Sequence, residues 1–209
     1  MLRVMNQAGL KELWRLIMSE FFRKNNCILI CAYPKVVLLL VLIGGVEMSF
    51  SAEQTTVERV DLVQYTGLWY EFARLPNSFQ KKCAHSTTAN YELRPDGKID
   101  VLNRCKKADG KVAVAKGIAR RPDNNKQGKL QVSFVAFFGW RLFWGDYWII
   151  GLADDYRYAI VGSPSKKYLW VLSREPNLNS SDWQHIQSIL EKYKYPVEKL
   201  IVSGKISKI

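Results

Sequence analysis

An all-β fold, an eight-stranded antiparallel up-and-down β-barrel with one C-terminal α-helix packed outside, is predicted by three observations. From Gly67 onward, short runs of alternating apolar and polar residues follow one another, the period-two pattern of half-buried strands. Explicit turn clusters separate them: Arg94-Pro95-Asp96-Gly97, Ala108-Asp109-Gly110, Arg121-Pro122-Asp123, Ala153-Asp154-Asp155 and Ser163-Pro164-Ser165. One late segment, Trp183, Ile186, Ile189, Leu190 and Tyr193, changes to helical spacing. Strands joined by short hairpins close best into a barrel, because closure removes the edges an open sheet leaves unpaired.

Taken in order, residues 1–52 read as an export leader, with an apolar run at 36–46 after Lys35 and the small residues Ser49, Ser51 and Ala52 where a signal peptidase would cut. The run is short for a membrane span of about 20 residues, and an uncleaved anchor requires its extension through 27–32. Residues 53–209 then form one domain, since the chain's 209 residues, 48% hydrophobic, suit a single core. Strands are expected near 68–76, 86–94, 98–105, 111–120, 129–136, 146–152, 156–162 and 168–174. A helix starts at Ser180-Ser181-Asp182, with Ser181 and Gln184 at capping-box spacing, and a short strand follows at 199–202.

The motif content narrows the fold further. A Gly67-Leu68-Trp69 entry into the first strand, the acidic turn Asp154-Asp155-Tyr156, and Arg174 at the end of a strand form an ordered set. The set resembles the lipocalins over roughly 57–205. The runs 61–65 and 168–174 and the pair Tyr70-Glu71 are similar to the bacterial outer-membrane branch and to the apolipoprotein D branch of animal members. The resemblance implies structural roles for Gly67, Trp69, Asp155, Tyr156 and Arg174, with Trp69 closing the narrow end and Arg174 laid across its indole. The bacterial branch carries a lipid-modified Cys after its apolar leader core; here Val46 stands at that place, which puts a lipid anchor in doubt.

Side chains alternate faces along a strand, so one inward residue fixes its neighbours two positions away. Counting from Trp69 places Glu71, Ala73 and Leu75 on the inner wall, and counting from Arg174 places Leu172, Trp170 and Tyr168 there. Motif alignment adds Tyr91, Asn103, Ala115, Ala119, Val132, Phe134, Tyr147 and Ile149. The fourth strand's inner residues, Ala113, Ala115, Gly117 and Ala119, are all small and leave volume for a ligand in a barrel of this size. An elongated apolar molecule fits such a wall, with Glu71 and Asn103 available to a head group; the structural alternative for Glu71 is a carboxylate paired with a neighbouring Arg or hydroxyl.

Cys83 and Cys105, an even pair in an exported domain, read as a disulfide, with two free buried thiols as the alternative. The net charge is +12; removing the six basic and three acidic residues of 1–52 leaves 25 against 16, still +9. Such a charge suits anionic membrane surfaces, while export takes nucleic acid out of reach. Three connections at the expected mouth carry lysines (Lys81-Lys82, Lys106-Lys107 with Lys111, Lys166-Lys167), and the fourth, 136–144, is aromatic. Contact with a membrane surface, a cap over the mouth, or a homodimer through the aromatic loop would each use it. No catalytic residue, metal cluster or cofactor is expected, since His85 and His185 belong to no metal-spaced set. The resemblance implies binding, storage or transport of fatty acids or lysophospholipids in the bacterial envelope, in the periplasm or at the outer membrane, for membrane maintenance. The alternatives are a lipocalin-type enzyme acting on a hydrophobic substrate and a structural or partner-binding envelope protein.

Overall fold

Asp61 opens the first helix of the fold: its carboxylate accepts from the Val63 N–H and caps the single turn α1 (Leu62–Tyr65). The chain then enters the alternating runs, which in the computed structural model, describing residues 54–138 and 140–207, form strands close to the expected limits. The expected leader, 1–52, and Val46 within it lie outside the described residues. In chain order the strands are β1 (Gly67–Arg74), β2 (His85–Leu93), β3 (Ile99–Lys106), β4 (Val112–Arg120) and β5 (Lys129–Ser133). A separate hairpin of β6 (Val135–Phe137) and β7 (Trp140–Leu142) precedes β8 (Gly145–Leu152), β9 (Tyr158–Gly162) and β10 (Leu169–Ser173). Strands β1 to β5 and β8 to β10 pair antiparallel in sequence, and β10 pairs back onto β1, closing an eight-stranded barrel.

Three departures from simple alternation matter. In β1 the register with β10 shifts between Glu71 and Ala73, so Phe72 and Ala73 both face outward and Arg74 takes the inward position opposite Trp170. Ala73 and Leu75, expected on the inner wall, therefore lie in the core under the helix; a bulge inserts one residue and reverses the parity of everything after it. Strand β8 shifts likewise between Ile149 and Gly151, keeping Ile149 inside and turning Ile150 outward. Strand β5 ends at Ser133, whose hydroxyl donates to the Leu142 carbonyl at 2.6 Å and turns the chain into the hairpin. Phe134, expected as a strand residue, thus falls between β5 and β6 and is 43% exposed.

After β11 (Asn177–Asn179) comes α2 (Ser180–Lys192). Its N-cap is Asn179, which accepts from the Asp182 N–H at 2.7 Å, and Ser181 donates to Asn179 instead of opening the expected capping box with Gln184. Ile186 and Leu190 are fully buried against the outward residues of the two bulges, and Trp183 tilts onto Phe72 at 5.2 Å. Arg157 grips Asp182 with two hydrogen bonds of 2.8 and 2.6 Å and ties the helix start to the β8–β9 turn. The expected strand at 199–202 shrinks to β12 (Ile201–Val202), because Val197–Lys199 forms a 3-10 turn; β12 pairs with Ala73 and Arg74, and β13 (Lys205–Ser207) runs parallel to β11. The result is two cores, one inside the barrel and one between barrel and helix, with β9 buried on both faces.

A candidate ligand site in the barrel

The narrow end is built from residues of the Gly67 to Tyr70 run. Gly67 has φ +93°, which L side chains rarely adopt, and a Cβ there would sit 3.4 Å from the Arg174 guanidinium. That guanidinium lies 3.8 Å over the Trp69 ring and donates to the carbonyls of Leu68 (2.9 Å) and Gln64 (2.6 Å). The Trp69 indole, fully buried, donates to the Tyr65 carbonyl at 2.8 Å. Asp155 folds its own turn, accepting from the Arg157 backbone and side chain, and Tyr156, at φ +60°, accepts from the Asp61 N–H at 2.9 Å, joining that turn to α1.

Above this plug the interior is floored by three tyrosines. The Tyr147 hydroxyl meets those of Tyr65 at 2.8 Å and Tyr91 at 3.0 Å, and the Tyr65 and Tyr91 rings stack at 5.8 Å. Burial raises all three phenols, Tyr91 to about 12, so they stay neutral at any physiological pH. Three hydroxyl protons serve two contacts, which leaves one to donate outside the cluster.

Toward the mouth the same strands present inner residues that solvent still reaches. Asn103, Ala115, Val132, Tyr147 and Trp170 are half-buried, whereas Ala159 and its partner Leu172, nearer the plug, are 0% and 5% exposed; Val161, paired with Trp170 and Ile149, is also fully buried. Asn103 is flanked across the strands by Ala89 and Ala115, and side chains so short offer its amide nothing. Its Oδ1 is buried and accepts no hydrogen bond among the described residues. Ala119 is 5% exposed and packs with Ile99 and Val132, so it belongs to the filled part. Space at Gly117 is taken by Phe134, whose ring lies 2.8 Å from where a Cβ would stand.

Glu71 is 6% exposed and already engaged: its carboxylate lies 3.0 Å from the Arg74 Nε and accepts from the Gln80 amide. Burial raises its pKa, an effect the Gln80 bond and the Arg74 charge oppose. Gln80 Oε1 accepts in turn from the Trp170 indole and the Asn77 amide, each at 2.8 Å. The β1–β2 loop is thereby fastened to the inner wall, with Phe79 packed on Tyr168 and Tyr168 stacked on Trp170. An open pocket of about 470 Å³ borders this loop, lined by Arg74, Pro76, Gln80, Cys83 and Ile201 and by none of the half-buried wall residues.

Comparison with known proteins agrees with this geometry. Residues 60–205 match the lipocalin-like domain family. The chain is a lipocalin. It is 36% identical over 166 residues to temperature-induced lipocalin-1 of Arabidopsis thaliana, covering 78% of this chain and 83% of that one. To the outer membrane lipoprotein Blc of Escherichia coli (strain K12) it is 34% identical over 148 residues, 70% and 80% of the two chains. To apolipoprotein D of Bos taurus it is 31% identical over 158 residues, 72% and 79% of the two. Insecticyanin from the tobacco hornworm Manduca sexta shares the fold, with a TM-score of 0.59 at 24% identity over 74% of this chain and 90% of that one.

In this lipocalin Cys83 and Cys105 form a disulfide that joins the β1–β2 loop to the mouth end of β3, so neither supplies a thiol nucleophile. Sequence reasoning missed Arg74, Gln80 and Tyr65. The bulge that turns Arg74 inward has no signature in the alternation, and Gln80 lies in a loop without periodicity. Tyr65 stands in the run before Gly67 that carried part of the resemblance, and its burial could have been suspected there.

Proposed function

We propose that this lipocalin binds and carries a small hydrophobic molecule, a fatty acid or lysophospholipid, in the mouth half of its barrel. The observation that carries the reading is the half-buried inner wall at Asn103, Ala115, Val132 and Trp170, with the Asn103 oxygen unpaired among the described residues. Apolar walls supply the affinity for such a molecule, and a few polar groups fix its orientation. Asn103 can accept from a ligand hydroxyl, and the tyrosine cluster can donate one proton. Glu71 serves better as the latch of the β1–β2 loop than as a head-group contact, since Arg74 and Gln80 occupy it. The name of one relative, an outer membrane lipoprotein, supports a place in the cell envelope, and that of another, an apolipoprotein, supports a role in lipid storage or transport. A membrane surface or a second copy would meet the aromatic loop at 136–144.

Replacing Ala115 by Phe puts a ring where the wall is open. Affinity for oleate or lysophosphatidylcholine, read from Trp170 quenching, should fall about tenfold or more, about 1.4 kcal/mol. Unchanged affinity with a folded variant would place the ligand elsewhere and overturn the reading.

A further inference from the structure

The β6–β7 hairpin does not cap the barrel. Its neighbours Phe134 and Trp144 pack back onto the wall, one over Gly117 and the other under the Arg120 guanidinium at 3.9 Å. Trp140 and Phe143 instead project, 76% and 81% exposed, with Val135 and Leu142 at 44% and 38% beside them. A lid over the mouth would have buried those rings. The hairpin base is held by the Ser133 hydroxyl on the carbonyls of Val135 and Leu142, so the rings stand on a fixed support.

The charges around it are lopsided. The four mouth connections, 76–84, 107–111, 134–144 and 163–168, hold seven Lys and Arg against one acid, Asp109. The segments at the narrow end, 61–66, 94–98, 121–128, 153–157 and 174–176, hold six of each sign. Narrow-end cations are largely paired, Arg94 with Asp96 and Asp100, Lys126 with Asp123, and Arg157 with Asp155 and Asp182. Within the four mouth connections the ion pair among the described residues is Lys111 with Asp109.

We infer that the barrel docks mouth-first on an anionic lipid bilayer, with Trp140 and Phe143 of the hairpin seated among the head groups and the mouth lysines on the phosphates. Rings at head-group depth beside cations are what an interfacial contact requires, and each Lys or Arg near such a surface adds to the attraction. The opposing end, neutral overall, gains nothing from the same surface. The inference stands apart from the lumen's occupant: a barrel with Ala115 replaced by Phe should dock as well as the parent.

The test uses the full chain and vesicles of equimolar phosphatidylglycerol and phosphatidylcholine. Brominated lipid should quench the parent, and Trp140→Phe should remove most of the quenching that vesicles cause, a local readout independent of the residues before Gln54. Trp140→Ser with Phe143→Ser should weaken partitioning about tenfold or more, and so should Lys166→Glu with Lys167→Glu. Equal quenching in the parent and Trp140→Phe overturns the inference. So does a double serine variant that loses self-association in sedimentation while its vesicle partitioning is unchanged, which would give the hairpin to a second copy of the chain.

Discussion

The two halves of one barrel differ although the same strands build both. At the narrow end Trp69 and Ala159 have no exposure and Ala119 and Leu172 only 5%, and charges are balanced and largely paired. At the mouth the next inward residues along those strands, among them Trp170 and Ala115, stay half-buried beside unbalanced lysines. Alternation is identical in both, so periodicity does not separate a core from a site. Side-chain volume does, together with what closes the end: a Trp capped by an Arg below, an open ring of loops above.

The largest test of this contrast is truncation at the plug. Trp69→Ala should cost about 3 to 5 kcal/mol in denaturant unfolding, the range for a buried large aromatic. Trp170→Ala, half-buried, should cost clearly less and chiefly weaken ligand binding. Equal costs would erase the distinction between the halves.

Removing the bond between Cys83 and Cys105 acts on the mouth through the unfolded chain, with a loss of about 3 kcal/mol expected for a loop of this length. Alkylation without reduction should leave both residues unlabelled, and full labelling would sink the assignment.

Alkaline titration probes the floor. Tyr91 has its pKa raised by burial to about 12, so below about pH 10 it is protonated folded and unfolded alike and its contribution is intact. Between there and about 12 the unfolded state ionises first, and stability should fall by about 1.4 kcal/mol per pH unit from this residue. Tyr91→Phe should flatten that part of the stability curve. An unchanged slope would mean the hydroxyl cluster is open to solvent.

The finest comparison lies within β4. Ala119→Phe overpacks a filled region and should cost about 1 to 3 kcal/mol, whereas Ala115→Phe, two turns of the pleat nearer the mouth, should leave stability within about 0.5 kcal/mol, as at open sites. Comparable losses would show the barrel to be solid throughout.

Particular residues show where the reading of the sequence stopped. Leu172 sits inside as the count from Arg174 placed it, and Tyr147 and Ile149 as motif alignment placed them, because each lies within an unbroken stretch of strand. Ala73 and Leu75 do not, since the count passed through the Phe72 bulge, and the helix that makes two adjacent outward residues favourable there comes from the other end of the domain. Phe134 left its strand for a similar reason: the Ser133 bond to Leu142 spans a hairpin that the apolar run itself does not announce.

The sequence by itself determined the class, the strand order and the narrow-end plug, because strand alternation, turn chemistry and the Gly67-Trp69 and Arg174 motifs are local patterns written in consecutive residues. Only the tertiary structure decided which small residues border space and which are packed, that Glu71 is held by Arg74 and Gln80, and that the aromatic hairpin stands clear of the mouth. Those outcomes depend on side chains brought together from distant strands, where a one-residue bulge or a single hydroxyl bond redirects a face, and no period within one segment encodes them.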